Sequence, residues 1–239
     1  MPDTDALPAP VARYFAFAFP DGPVSARTVH IRWTGEFRMR PDARWVPFTA
    51  LQDFTVQPPT FLWDARIRML PLVRVRVRDT YSAGSASMRG RVAGLFTVVD
   101  QAGTAQIAQS ALARWIGEAV WFPMALLPRD GVQWEEVDDR TARVVVTDGA
   151  VTAAAELHFA PTGEAIRMTA LRYRDDDGTP VLTPFEGVYR DYARSGGVMV
   201  PTRAEVAWLL PEGRYAYWRG TPEEIRYDGS AARSEGSAS

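Results

Sequence analysis

The sequence contains no cysteine, no lysine and no asparagine, and each absence removes a class of chemistry. Without cysteine there are no disulfides, thiol nucleophiles or thiolate metal sites. Without lysine there is neither a Schiff-base nucleophile nor the lysine of a phosphate-binding loop. Without asparagine there is no acceptor for N-glycosylation. All 27 cationic side chains are therefore arginines, a bias that a GC-rich genome explains.

Several catalytic and targeting signals are also missing. The sequence lacks HExxH, GxSxG and GxGxxG, so we predict no metal ion and no cofactor. A net charge of −2, with arginines interspersed among acidic residues, argues against a nucleic-acid partner. No apolar run approaches the roughly 18 to 20 residues of an integral membrane segment. The acidic N-terminus has no basic region followed by an apolar segment, which predicts a cytoplasmic protein.

Aromatic and aliphatic side chains are plentiful. They make up most of the 46% hydrophobic content, with 8 Trp, 8 Tyr and 11 Phe among 239 residues. This supply suffices for a large core with a cavity inside it. No Pro/Ser/Gly-rich linker divides the chain, so we predict one β-rich domain over residues 1–230 and a disordered tail over 231–239.

Most of the chain alternates between polar and apolar residues, which predicts strands. Two segments, 8–19 and 104–122, have helical spacing instead, the second with Thr104 as its N-cap. We predict a mainly β (α+β) fold: a large curved antiparallel sheet, or half-barrel, of about 11–12 strands with helices covering the concave face. The predicted strands lie near 28–39, 44–55, 60–69, 72–82, 87–99, 132–138, 142–148, 151–160, 164–174, 180–192, 198–210 and 213–228.

Four polar side chains share the parity of apolar neighbours and are predicted to point inward. They are Gln52, Asp79, Tyr81 and Arg172, the last on the parity of Ile166. Burying an isolated charge costs several kcal/mol, so Asp79 and Arg172 need partners or a wet cavity. Two interpretations stay open: a buried Asp79–Arg172 pair that fixes strand register, or a polar anchor at the base of a ligand cavity.

The second helix carries a further candidate group. Arg114 and Glu118 are four residues apart and predict either an exposed ion pair or a partly desolvated carboxylate suited to acid/base chemistry. On a helical wheel Glu118 lies at the edge of the apolar stripe, and Trp121 lies nearly opposite that stripe. A Trp in that position needs a loop, a partner or a ligand to cover it.

A run of alternating arginine and valine follows the third predicted strand. Arg74, Arg76 and Arg78 share one parity, and valines occupy the other. The pattern predicts a solvated outer face whose charges discourage edge-to-edge pairing. An anionic partner would use the same arginines.

Several segments, in order along nearly the whole chain, resemble a group of bacterial proteins of uncharacterised function, DUF6544 (DUF6920-like). The resemblance implies a fold similar to the LolA/LppX lipoprotein-carrier group, an incomplete antiparallel barrel over helices; it implies no activity. At one position the chain departs from the pattern, because Phe185 follows Pro184 where a Trp is expected. The matching segments are Leu7–Phe15, Trp45-x-Pro-Phe-x-Ala-x-Gln52, Phe61-x-Trp63-x-Ala65, Asp79-x-Tyr81-x-x-Gly84, Arg114-Trp-x-x-Glu118-x-x-Trp121-x-Pro123-x-x-Leu126-Leu127 and Gly197-x-x-x-Pro201 with Trp208.

These observations favour two functions of different classes. The first is binding of a hydrophobic small molecule or acyl/lipid-like ligand in an aromatic-lined cavity. The second is a cytoplasmic enzyme that uses this cavity for acid/base-assisted cyclisation, isomerisation or hydration, with Glu118 as acid/base and Asp79 assisting. An interaction scaffold, the third possibility, requires a filled core. The predicted ligand-binding residues are Gln52, Trp63, Tyr81, Arg114, Trp121 and Arg172.

Overall fold

The computed structural model describes residues 7–70, 73–92, 96–176 and 178–229. Across them the chain forms two α-helices, α1 (Ala9–Ala18) and α2 (Ala105–Glu118), and thirteen strands in one antiparallel sheet. The strands are β1 (Thr28–Phe37), β2 (Val46–Thr55), β3 (Thr60–Leu70), β4 (Val73–Ser82), β5 (Ser85–Val92), β6 (Phe96–Ala102), β7 (Val132–Asp138), β8 (Thr141–Asp148), β9 (Val151–Phe159), β10 (Ala165–Asp176), β11 (Thr179–Ser195), β12 (Val198–Leu210) and β13 (Gly213–Asp228).

The predicted fold class is confirmed. The sheet is mostly a meander, curved over the helices, and it has one strand more than the upper predicted number. The additional strand arises because the segment near 87–99 forms two antiparallel strands, β5 and β6, rather than one. The predicted tail over 231–239 lies outside the described residues.

The strand order divides the sheet into two halves. It runs β6-β5-β4-β3-β2-β1-β13-β12-β11-β10-β9-β8-β7, so each half is a meander and the halves meet where β1 pairs with β13. The segment between β6 and β7 therefore connects the two edge strands of the sheet. It contains α2, which packs against β4 and β5 on one side and β8 to β10 on the other. This helix is thus the roof of the concave face.

The sequence of α2 explains how closely it packs on the sheet. Thr104 caps it, since its hydroxyl accepts a hydrogen bond from the N–H of Ile107 at 3.2 Å. Near its C-terminal end, the hydroxyl of Tyr189 donates to the carbonyl of Gly117 at 2.7 Å. A Cβ on Gly117 would lie 2.9 Å from the terminal methyl of Met168, so a larger residue there would require the flexible Met168 side chain to shift.

The helix ends earlier than predicted. It stops at Glu118, and two short 3-10 turns follow at Ala119–Trp121 and Pro123–Leu126. The change in helical geometry turns Trp121 inward, where it is only 3% exposed, so the wheel position opposite the apolar stripe is wrong. The neighbouring sheet covers this side chain, and neither a partner nor a ligand is needed for that.

The two halves of the sheet also contact each other at one end of the half-barrel. Tyr81, in β4, donates a hydrogen bond from its hydroxyl to Oδ2 of Asp148 at 2.8 Å. The N–H of Gly84 donates to the same oxygen at 3.2 Å, from a two-residue turn in which Ala83 and Gly84 both have positive φ. The turn between β4 and β5 is therefore tied to the turn between β8 and β9. Tyr81 points inward as predicted, but it closes this end of the half-barrel instead of lining a pocket.

Alternation along the strands places the core on the concave face. In β2, for example, the four residues at alternate positions between Val46 and Phe54 are all exposed. The buried positions are Val46, Phe48, Ala50, Gln52 and Phe54. The pleat alone accounts for this pattern, since successive side chains point to opposite faces. In the described residues, no helix has the length and apolar composition needed to span a membrane.

One predicted parity is interrupted by a bulge. The pairing of β10 with β9 shifts register between Ala165 and Arg167, so Ile166 turns outward and is 42% exposed. Beyond the bulge the inward parity holds for Met168 and Arg172. The prediction that Ile166 shares a buried face with Arg172 is therefore wrong, although the inward direction of Arg172 is right.

Candidate functional site

A cavity of about 520 Å³ lies between the concave face of the sheet and α2. Its walls come from both halves of the sheet, β1 and β3 to β5 on one side and β10 to β13 on the other. Pockets that bind small molecules have about 300 to 1,000 Å³. The interior is therefore not the filled core that an interaction scaffold requires.

Strand β4 gives the direction of the cavity. Val73, Val75, Val77 and Asp79 occupy its inward parity, and all four line the cavity. At about 3.3 Å per residue, the six steps from Val73 to Asp79 span about 20 Å. Met39, 56% exposed, lines the cavity as well, so the cavity has an open end. Asp79 is more buried than the three valines of β4, so the deep end of the cavity lies at Asp79.

At the deep end, a chain of polar side chains runs from the sheet to the helix. Trp33 donates from Nε1 to Oε1 of Gln52 at 2.9 Å, and Gln52 donates from Nε2 to Oε2 of Glu118 at 2.9 Å. Arg114 donates from Nε to Oε1 of Glu118 at 2.9 Å and from Nη1 to Oδ2 of Asp79 at 2.5 Å. The helix thus supplies Arg114 to two carboxylates that the cavity partly desolvates.

The predicted pairing of Asp79 with Arg172 is wrong. Arg114 of α2 is the salt-bridge partner of Asp79, and only 18% of its side chain is exposed, against 9% for Asp79. Strand parity identified which charges face inward, but it gives no information on which helical side chain lies above them. The interpretation of Arg114 and Glu118 as an exposed ion pair is also wrong, because both side chains line the cavity.

Arg172 lies in the same cavity with different partners. Its Nε donates to the carbonyl of Ser110 at 3.0 Å. Its guanidinium carbon lies 4.4 Å from the ring centre of Phe185 and 5.6 Å from that of Trp208, which are cation–π distances. The hydroxyl of Tyr217 also interacts with its guanidinium. Phe185, the residue that departs from the family pattern, therefore packs against the guanidinium of Arg172.

The other predicted site residues fall into two groups. Trp63 and Trp121 line the cavity wall, as expected of ligand-binding residues. Gln52 lies behind the wall, where it connects Trp33 to Glu118 and does not reach the cavity. The structure also adds wall residues that parity alone did not single out. Tyr189, Tyr217 and Trp218 come from long strands whose aromatic residues are too numerous to rank by sequence.

Burial controls the protonation of the two carboxylates. Desolvation raises the pKa of Asp79 and the pKa of Glu118 above their ordinary values, and the charge of Arg114 opposes both shifts. One guanidinium shared between two carboxylates offsets burial only in part, so we assign both groups a raised pKa. Since the two groups interact through Arg114, their protonation is coupled.

This shift predicts how stability depends on pH. A carboxyl group whose pKa is raised in the folded state contributes stability that is present below its unfolded pKa, near 4, and is lost as pH rises through the folded pKa. The free energy of unfolding of the wild type minus that of Glu118→Gln should therefore fall as the pH rises above about 4. Urea unfolding at several pH values measures this difference. Glu212→Gln, on an exposed turn, is the control, and a difference that rises with pH would contradict the assignment.

The arginine stripe lies on the outer face, as predicted. Arg74, Arg76 and Arg78 are exposed, and their strand neighbours Val75 and Val77 line the cavity. Asp64 of β3 forms salt bridges with two of them, Arg76 and Arg78. An anionic partner for this face stays a prediction. Among the described residues, no group of three or more His, Asp or Glu side chains is placed to hold a metal ion.

Fold and site together define a class of protein: a β half-barrel, roofed by one helix, with an apolar cavity that ends in buried charges. The chain belongs to DUF6920, a family of unknown function, whose model matches residues 5–227. The DUF6920 resemblance is thereby confirmed, and the DUF6544 label stays a prediction. None of the curated proteins searched matches the chain significantly.

The chain is also similar to solved structures that are distant in sequence. A LolA superfamily protein from Nitrosomonas europaea is 13% identical with a TM-score of 0.48, over 93% of this chain and 94% of that one. A DUF1329 family protein from Desulfovibrio piger is 11% identical with a TM-score of 0.47, over 93% of this chain and 95% of that one. These likenesses are too distant to carry a functional inference.

Proposed function

We propose that the protein binds an elongated hydrophobic molecule, of acyl or lipid-like type, in the cavity between the sheet and α2. The observation that supports this most directly is an apolar space of about 520 Å³ with an open end at Met39. Apolar ligands gain about 25 cal/mol per Å² of surface removed from water. A cavity that extends about 20 Å along β4 has room for a chain-like ligand.

The enzymatic alternative has less support from the geometry. Both oxygens of Glu118 already accept hydrogen bonds, one from Arg114 and one from Gln52. A general acid or base needs an oxygen within hydrogen-bond reach of the proton that it transfers. With its oxygens held in this way, Glu118 is better placed to fix Arg114 than to exchange protons with a substrate. We therefore favour binding over acid/base catalysis.

The binding proposal is tested with an uncharged apolar fluorophore, diphenylhexatriene, whose emission rises in an apolar site. The wild type should bind it saturably. Val75→Trp fills the middle of the cavity and should weaken binding by at least about tenfold. Leu51→Trp adds the same indole on the outer face of β2, where Leu51 is 61% exposed, and should change nothing. A wild type without saturable binding, or equal affinities in the two variants, would overturn the proposal.

A further inference from the structure

The deep end of the cavity has few hydrogen-bond acceptors left for a ligand. Oε1 and Oε2 of Glu118 accept from Arg114 and Gln52, and Oδ2 of Asp79 accepts from Arg114. The backbone N–H of Thr80 also donates to Asp79. The protein's own donors therefore engage these carboxylates. A ligand whose polar end offers only hydrogens finds little to bind.

Unused donors, by contrast, lie at the same place. An arginine has five N–H donors, and Arg172 uses its Nε–H on the carbonyl of Ser110. Within the part of the chain that the structure describes, no carboxylate forms a salt bridge with Arg172. Phe185 and Trp208 pack against its guanidinium, and the hydroxyl of Tyr217 in the cavity wall interacts with one further donor. The remaining donors of this planar fork therefore face an apolar space, and Asp79 and Glu118 act on the guanidinium through their charge without forming a salt bridge with it.

The balance of charge at the deep end of the cavity also favours an anionic ligand. Asp79 and Glu118 carry two negative charges when ionised, and Arg114 and Arg172 carry two positive ones. Burial favours the neutral form of either carboxyl group, and it also lowers the pKa of Arg172, but an arginine stays charged at neutral pH. Protonation of one carboxyl group leaves the deep end with a net positive charge. A ligand that brings one negative charge restores neutrality.

We propose that the ligand is a long-chain carboxylate whose acid group binds Arg172 while its chain lies along Val77, Val75 and Val73 toward the open end. This inference rests on the proposed binding function and specifies the chemical class of its ligand. A carboxylate matches the guanidinium fork with two parallel hydrogen bonds. An alcohol of the same length supplies a weaker acceptor, and an amine brings a cation against Arg172.

The test compares three compounds with one chain length: hexadecanoic acid, hexadecan-1-ol and hexadecylamine. Each displaces diphenylhexatriene from the wild type and from Arg172→Gln at neutral pH, with all compounds below their aggregation concentrations. In the wild type, the acid should bind at least about tenfold more tightly than the alcohol, and the amine most weakly. In Arg172→Gln, the acid and the alcohol should differ by less than about twofold, because the charged donors are gone.

Two further variants keep the outcome interpretable. Arg66→Gln removes one positive charge from the exposed outer face of β3 and should retain the preference for the acid. Arg172→Lys keeps the positive charge and should retain part of the preference for the acid. Thermal unfolding checks that each variant folds. Equal binding of all three compounds to the wild type, or an unchanged preference in Arg172→Gln, would overturn the inference alone. If none of the compounds and no diphenylhexatriene bound, the proposed function itself would fail.

Discussion

Arg114→Ala is expected to lower the free energy of unfolding by about 3 to 5 kcal/mol, the cost of removing one partner from a buried ion pair. The loss is large because Arg114 serves two carboxylates at once, Asp79 at 2.5 Å and Glu118 at 2.9 Å. Without it, two buried carboxyl groups lose the cation that offsets their desolvation, and each must either stay charged in a poorly solvated cavity or take up a proton. Its guanidinium also packs over the rings of Phe61 and Trp63, a contact that alanine cannot replace. Urea unfolding at neutral pH measures the change.

A compensating variant separates charge from packing. Adding Asp79→Asn and Glu118→Gln to Arg114→Ala removes the uncompensated carboxylates and should recover a substantial part of the loss. Arg66→Ala on the outer face of β3 is the matched control, with an expected change within about 0.5 kcal/mol. If Arg114→Ala cost no more than Arg66→Ala, the buried network would have no role in stability.

The second large effect is expected at Trp121, where replacement by alanine should cost about 3 to 5 kcal/mol. Its ring centre lies 4.7 Å from that of Trp33 and 5.9 Å from that of Tyr189. Its Nε1 donates to the carbonyl of Pro201 at 2.8 Å, so alanine also leaves that buried acceptor unpaired. The vacated space joins the cavity, which the side chain borders.

Stability and binding should respond to this change in opposite ways. Trp121→Ala lowers the midpoint of urea unfolding but enlarges the deep end, so a branched or ring-bearing apolar compound should gain affinity relative to a straight chain. Leu51→Ala, at an exposed position, is the control and should alter neither property. An unchanged midpoint for Trp121→Ala would show that the aromatic cluster around Trp33 does not depend on this ring.

The strands and both helices could be predicted from the sequence because each follows a periodic pattern. Alternation with period two fixed the faces of β2 and β4, and it placed Gln52, Asp79 and Tyr81 inward correctly. The pattern fails where the backbone departs from regular geometry. A bulge near Ile166 and the change from α-helix to 3-10 turns before Trp121 are set by tertiary packing, which periodicity does not encode.

The site could be predicted only in part. Sequence reasoning found the inward charges, and one of its two interpretations paired Asp79 with Arg172 because both have inward parity, whereas the partner of Asp79 is Arg114. The position of Arg114 depends on how α2 crosses the sheet, and that path follows from strand order rather than from local sequence. The role of Tyr81 was missed for a similar reason, since Asp148 is distant in sequence and lies in the other half of the sheet.

The division of the sheet into two meanders has a consequence for the order of assembly. Within each half, every strand pairs with its neighbours in sequence, so each half needs little loop-closure entropy to form. The contacts between halves, β1 with β13 and α2 across both, join residues far apart in the chain. Because the cavity has walls from both halves, it exists only after that joining step. A ligand in the cavity therefore stabilises contacts formed late, and it acts mainly by slowing unfolding rather than by speeding folding.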